Sequence, residues 1–289
     1  MKDPFAPSPS NSGAAGKKSK KSMGSVRPDP FTLSESEMLS QLPQAIGPSL
    51  FLDHFTFDEV SAQIESTSFL SAMKKKGVPI PRVELMRVDP DEHRLIVFDD
   101  SESEPVKMIE LRLALTRMEV PALAGYSTLP SLFEMLAINW VMMQNPRAAF
   151  TENRPQLPGQ EHPGLGLGQK CQEFLVHLGA ELRRDGLVNH PQYFHNAMFY
   201  RDEYYFIDPR RQGELLAMFR DLARYPIGMA SQAIADGRLI DVQRQIRVEW
   251  DPEGMVCPIH NPLGDYFQSR EYREAVQRTL SSCMYDLVL

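Results

Sequence analysis

Three glycines in five positions, Gly164, Gly166 and Gly168, stand directly ahead of an amphipathic run, and this stretch constrains the chain more than any other. Behind it Leu167, Cys171, Phe174, Leu175, Leu178 and Leu182 recur at helical spacing, and Gly186 is read as the helix stop. A short apolar segment at Leu187 and Val188 follows, then a helical run around Asn196 to Tyr200 and an aromatic strand from Tyr204 to Ile207. The predicted order across residues 158–209 is therefore glycine loop, helix, strand, helix, strand. Successive glycines let a ligand approach the backbone, and the helix start offers unpaired N–H groups and the positive end of its dipole. That combination suits a phosphate or pyrophosphate.

Upstream, Thr56 and Glu59 form a capping box that opens a helix with Val60, Ile64 and Met73 on one face. Lys74, Lys75 and Lys76 complement the C-terminal end of its dipole rather than forming a binding patch, and Gly77 and Pro79 stop it. Val83, Leu85 and Val88, a turn at Asp89, Pro90 and Asp91, and Leu95 to Phe98 read as a hairpin. A third strand over residues 106–116 alternates Met108, Glu110 and Arg112 with Ile109, Leu111 and Leu113. Next, Ser127 or Thr128 caps a predicted helix with Pro130 in its first turn, and Leu132, Met135, Leu136, Asn139, Trp140 and Met143 along one side. Trp140 and the methionines are read as core. An extended, proline-broken lead then runs into the glycine loop.

Beyond residue 209 the pattern gives helices over 211–224 and 227–235, a strand over 240–250 and a terminal helix over 262–283. These complete the core, cover one face, or present a partner surface. Residues 1–36, rich in Pro, Ser, Gly and Lys, form a solvated tail or a basic arm for an anionic partner. Residues 37–289 are expected to form a single domain.

The net charge of −7 argues against a general nucleic-acid-binding surface. Three widely spaced cysteines, Cys171, Cys257 and Cys283, fit a reducing compartment without a disulfide framework. No apolar run approaches the roughly 18 to 20 residues of a membrane span. No signal-peptide core follows the N-terminus, so the expected location is cytoplasmic, with neither nucleic acid nor membrane as partner. His190, His195, His260 and Cys257 give pairs with short spacings but no zinc pattern, and no metal site is expected.

A hairpin, a longer strand, a glycine loop opening a long helix, a short strand, a helix bearing Asn196-Ala197 and Phe199-Tyr200, and an aromatic strand together resemble the GNAT superfamily of N-acetyltransferases. The resemblance covers residues 50–207, and Gly168 to Tyr200, 32 positions apart, is close to the family spacing. It implies an α+β fold with a mixed, mostly antiparallel central sheet flanked by helices. Residues 119–157 would then be a helical insertion before the loop, and 210–289 a C-terminal helical extension. The resemblance further implies that Gly164, Gly166, Gly168, Gln169 and Asn196 bind acetyl-CoA or another acyl-CoA. The acyl group would pass to an amine of a small molecule or protein.

Pro163 or Glu161 stands where the family has Gln or Arg. Tyr200 is read as the acid that protonates the leaving thiolate, or equally as an aromatic packed on the sheet. Glu110 is read as a general base whose partly buried carboxylate holds protons more tightly, or as an ion-paired side chain. Two functions stay open: acyl-CoA-dependent N-acyltransfer, and a non-catalytic GNAT-fold binding or regulatory protein.

Overall fold

Thr56 does cap α1 (Phe57–Ser66), its side chain accepting from the Glu59 N–H while Glu59 reaches back to the Thr56 backbone. The predicted single helix is two, because Ser68 turns left-handed at φ 58° and restarts the chain as α2 (Phe69–Lys75). Gly77, at φ 98°, then releases the chain from α2. The computed structural model describes residues 50–119 and 130–288, which lie in one compact unit, Gly47–Leu289. The predicted tail over 1–36 lies outside the described residues.

The hairpin is present as β1 (Pro81–Arg87) and β2 (His93–Asp99), and the third strand as β3 (Val106–Glu119). The predicted helix over residues 128–143 is instead a strand, β4 (Leu132–Met143), antiparallel to β3 from Glu119↔Leu132 to Ile109↔Met143. Both faces of its first half are apolar, and such a run carries the same signal for a buried strand as for a helix. A register shift opposite Arg112 and Leu113 re-aims the second half of β4. Trp140 consequently faces outward, 51% exposed beneath the Arg112 guanidinium, and is not core.

The glycine loop leads into α3 (Gly168–Glu181), and β5 (Gly186–Asn189) follows, parallel to β4. Gly186 does not stop the helix. Arg183, left-handed at φ 53°, turns the chain out of it, and Gly186 opens β5 where an added Cβ would lie 2.6 Å from the Cys257 carbonyl oxygen. α4 (Phe194–Tyr200) and the short β6 (Tyr205–Phe206) complete the order that the glycine loop predicts.

The C-terminal segment is woven into the sheet rather than appended as helices. After α5 (Pro209–Leu222) and α6 (Ile227–Ala235), the predicted long strand is a hairpin of β7 (Leu239–Asp241) and β8 (Ile246–Val248). The Asp241 carboxylate folds it by accepting the N–H groups of Gln243 and Arg244. β9 (Met255–Pro258) then inserts between β5 and β6. The predicted terminal helix is split by Ser269 into α7 (Leu263–Gln268) and α8 (Arg270–Ser282), before β10 (Tyr285–Leu287).

The main sheet has the order β1-β2-β3-β4-β5-β9-β6, antiparallel except for β4 and β5, and β10-β7-β8 form a second, antiparallel sheet. The fold is thus α+β with a mostly antiparallel sheet flanked by helices. One face packs α1, α2 and α3, where Val60, Ile64, Phe69, Met73, Phe174 and Leu178 are fully buried. The other face of β4, β5 and β9 packs Tyr266, Phe267, Tyr272 and Val276 of α7 and α8 on Phe133, Met135, Val188 and Val256.

Candidate functional site

β4 and β5 pair only from Met135↔Gly186 to Ile138↔Asn189, while β4 runs on to Met143. The sheet forks there. At the far end of the fork, residues 145–163 leave β4 and return so that Gln144 bridges Gly164, with Leu165 N–H donating to the Met143 carbonyl at 2.9 Å. Pro163, where an N–H is lost, lies in this ladder and accepts from Asn145 N–H.

From that bridge the loop alternates. Leu165 and Leu167 are buried in the core, and Gly166 and Gly168 are exposed. Gly166 sits at φ 67°, a conformation that suits glycine, and an added Cβ on Gly168 would meet nothing within 4 Å. Leu167, the N-cap of α3, supplies no side-chain cap. Among the described residues, the N–H groups of Gly166, Leu167, Gly168, Gln169 and Lys170 have no protein acceptor. A helix start always leaves its first-turn N–H groups free, and here the unpaired row reaches back to Gly166.

Cations surround it. Lys76, at the end of α2, brings its Nζ to 3.7 Å from where a Gly166 Cβ would stand, and has no carboxylate partner among the described residues. Arg154 donates to the Gly164 carbonyl, and Lys170 pairs with Glu173. The lysine run read as a dipole complement thus places Lys76 against the loop. No local pattern signals that, because the two are about 90 residues apart in the chain.

Behind the loop, Ile138, Val141 and Met143 of β4, Gly168, Cys171, Gln172 and Leu175 of α3, Tyr200 and Tyr204 line a narrow cleft of about 10 Å³, room for roughly one water. Tyr204 is fully buried and donates to Gln172 Oε1 at 2.8 Å, while Gln172 Nε2 donates to Cys257 Sγ at 3.6 Å. Burial pushes the Tyr204 hydroxyl well above its ordinary pKa. It also pushes Tyr200 up to about 12 and the Cys171 and Cys257 thiols each to about 12. Each of these groups stays protonated near neutral pH, and neither cysteine is an activated nucleophile.

Of the other predicted site residues, Gln169 lies at the loop, and Asn196 and Glu110 lie away from it. Asn196 lies on α4, where its Oδ1 accepts from Tyr193 N–H and caps the helix. Gln169 is exposed in the first turn of α3. Glu110 projects from the opposite face of the sheet: it pairs in register with Met142, whereas Val141 and Met143 line the cleft. Burial alone would raise its pKa. Hydrogen bonds from Lys107 at 2.8 Å and Arg112 at 2.7 Å outweigh burial and hold it below the ordinary carboxylate range. The raised proton affinity expected of Glu110 is therefore overturned. His195 is buried against Ser231, Nδ1 to Oγ 2.8 Å, with its pKa lowered by burial to about 4. Among the described residues no group of three His, Cys, Asp or Glu is placed to hold a metal ion, and no helix is long and apolar enough to cross a membrane.

No protein-family model matches the chain, and no curated protein matches it. Among solved structures it is similar to a KacT variant at 9% identity, covering 76% of this chain and 92% of that one with a TM-score of 0.31. It is similar to AtaT complexed with acetyl-methionyl-tRNAfMet at 11% identity, over 73% and 89% of the two chains with a TM-score of 0.28. AtaTR bound with acetyl-CoA matches at 13% identity over 53% and 77%, TM-score 0.26, and the KacTA–DNA complex at 9% over 50% and 72%, TM-score 0.27. At these scores the likeness assigns neither a ligand nor an activity to this chain.

Proposed function

We propose that this chain binds an acyl-CoA as cosubstrate and transfers its acyl group to an amine. The observation that carries the reading is the row of free N–H groups from Gly166 to Lys170, set at the fork of β4 and β5 with Lys76 beside it. Backbone donors and a lysine at a helix start match a pyrophosphate. The open space before Gly168 leaves room for it, and the GNAT-like order of elements supports the same reading. The acyl end would run along the unpaired stretch of β4 toward Tyr200, whose phenol lines the cleft and would stand beside the leaving thiolate as its proton donor. The acceptor is an amine on a small molecule or a protein, since a net charge of −7 does not favour a nucleic acid.

Two observations favour a second, non-catalytic reading of the same site. Glu110 faces away from the cleft, which leaves no identified base, and the cleft itself admits about one water. Thermal unfolding with CoA and with acetyl-CoA tests the proposal: ligand at about 100 times its dissociation constant adds roughly 2.7 kcal/mol of apparent stability. No shift with either ligand overturns acyl-CoA binding. A shift without acyl transfer to a broad panel of amines favours the non-catalytic protein.

A further inference from the structure

β1 is an edge of the main sheet, paired with β2 and with no other strand among the described residues. Just beyond its two ends the Asp100 N–H donates to the Ile80 carbonyl and the Val88 N–H to the Glu92 carbonyl, both continuing the β1–β2 register. Hydrogen-bonded and non-hydrogen-bonded pairs alternate in an antiparallel ladder, so the even-numbered residues direct their main-chain groups to β2. The N–H groups of Val83 and Leu85 and the carbonyls of Pro81, Val83 and Leu85 therefore point away from the sheet.

Side chains alternate by the same parity. Val83 and Leu85 pack on the core, while Arg82, Glu84 and Met86 share the face that carries Glu110, through the row Glu84, Ile96, Glu110. The middle of that face is self-sufficient: Ile96 and Glu110 are buried, and Lys107 and Arg112 cover the Glu110 carboxylate. Its edge is not. Ile80 is 56% exposed and Met86 37%, and between them the side chains of Arg82 and Glu84 are 40% and 41% exposed. Arg82 pairs with Glu84 and Asp100 and lies over the Phe98 ring, which holds its guanidinium on this face.

Along the edge, Ile80, Arg82, Glu84 and Met86 run apolar, positive, negative, apolar, an order that is its own complement when reversed. If a second β1 lies antiparallel with the two-fold axis at Val83, Ile80 meets Met86 of the second copy and Arg82 meets Glu84 of the second copy, each twice by symmetry. These pairs fall at non-hydrogen-bonded positions, where side chains approach most closely. Val83 exchanges main-chain bonds with its counterpart, and each Leu85 N–H reaches the opposite Pro81 carbonyl. Pro81, which has no N–H, has only to accept there. Moving the axis one residue either way opposes Glu84 to Glu84 or Arg82 to Arg82, and moving it to Leu85 sets Arg82 against Val88 and Glu84 against Met86. Charges and proline ordinarily guard an edge strand against pairing, and here they bar the wrong registers and admit one. We propose that β1 pairs with β1 of a second copy of this chain about Val83, joining the two main sheets into one.

Sedimentation equilibrium at low salt tests this. Wild-type protein is expected to approach twice the monomer mass as its concentration rises. Arg82→Glu alone and Glu84→Arg alone each oppose like charges at both symmetry-related positions and should weaken association about tenfold. An equimolar mixture of the two variants restores opposite charges at both positions and should associate within a few-fold of wild type. Ile80→Ser, at a side chain that is mostly in solvent, should weaken the dimer a few-fold with no change in melting temperature, which keeps the test open if a charge variant fails to fold.

Wild-type protein that stays monomeric at millimolar concentration overturns the inference. So does a dimer that the charge variants and Ile80→Ser leave unweakened, which would lie on another surface. A mixture no tighter than its two separate components overturns the Val83 register, and the inference with it.

Discussion

The two faces of the β3–β4 ladder treat buried polar groups in opposite ways. On the far face Glu110 is 3% exposed and saturated by Lys107 and Arg112, with the Arg94 guanidinium 3.8 Å away. On the cleft face the polar groups are a tyrosine pair, a glutamine and two thiols. Lys76, at the loop, has no anionic partner among the described residues, whereas Lys107 and Lys170 both do. Complete pairing is what stability asks of a buried charge. Incomplete pairing around a cleft is what a ligand would complete, and this difference separates Glu110 from the candidate site although both lie on adjoining strands.

The contrast can be broken most strongly at Tyr200. Tyr200→Phe is expected to lower acyl transfer about 100-fold, within the range for loss of a general acid, with CoA affinity nearly unchanged. Equal turnover would return Tyr200 to a packing role.

At Glu110 the expected effect is on folding alone. Glu110→Gln should cost about 2 kcal/mol in urea unfolding, because buried partners lose a charged acceptor, and CoA affinity should not change. The dependence on pH has a definite sign. The folded carboxyl has a pKa below its ordinary 4.5, so its contribution is fully present above that value and is lost as pH falls through the lower folded value. The stability gap between wild type and Glu110→Gln should therefore close in acid. A gap that widens would mean that burial, not Lys107 and Arg112, governs Glu110.

Tyr204→Phe removes the donor to Gln172 Oε1 and should cost about 1 to 2 kcal/mol. No loss would show that the network is dispensable to the fold.

The glycines give a smaller and sharper comparison. Gly166→Ala places a side chain at φ 67° and should cost about 1 kcal/mol. Gly168→Ala meets no neighbour and should leave stability unchanged or raise it by up to about 1 kcal/mol while weakening CoA. If neither change affects CoA, the loop is not the phosphate site. Lys76→Ala is the mildest: the melting temperature should hold, and CoA affinity should fall a few-fold with a shallower dependence on salt.

Much of the chain was legible from local chemistry. The Thr56–Glu59 box, the hairpin around Pro90 and the apolar helical spacing behind the glycine loop are signals that act over a few residues, and each is present. The misreadings have different causes. Residues 135–138 are apolar on both sides because two layers cover them, and a doubly covered strand has no period that distinguishes it from a helix. Gly186 looked like a helix stop, but its reason lies about 70 residues away, where the Cys257 carbonyl leaves no room for a Cβ. Asp241 and Arg244 together hold a hairpin turn that the run of alternating apolar residues concealed.

The sequence alone determined the elements that follow the glycine loop, because glycine conformation, capping and periodicity are local, and the α+β class followed from the family resemblance that their order carries. Only the tertiary structure decided which side chains surround that loop. It put Lys76 beside Gly166, turned Glu110 to the far face and drew β9 into the sheet. Strand pairing and register set each of those outcomes, and they depend on partners distant in the chain.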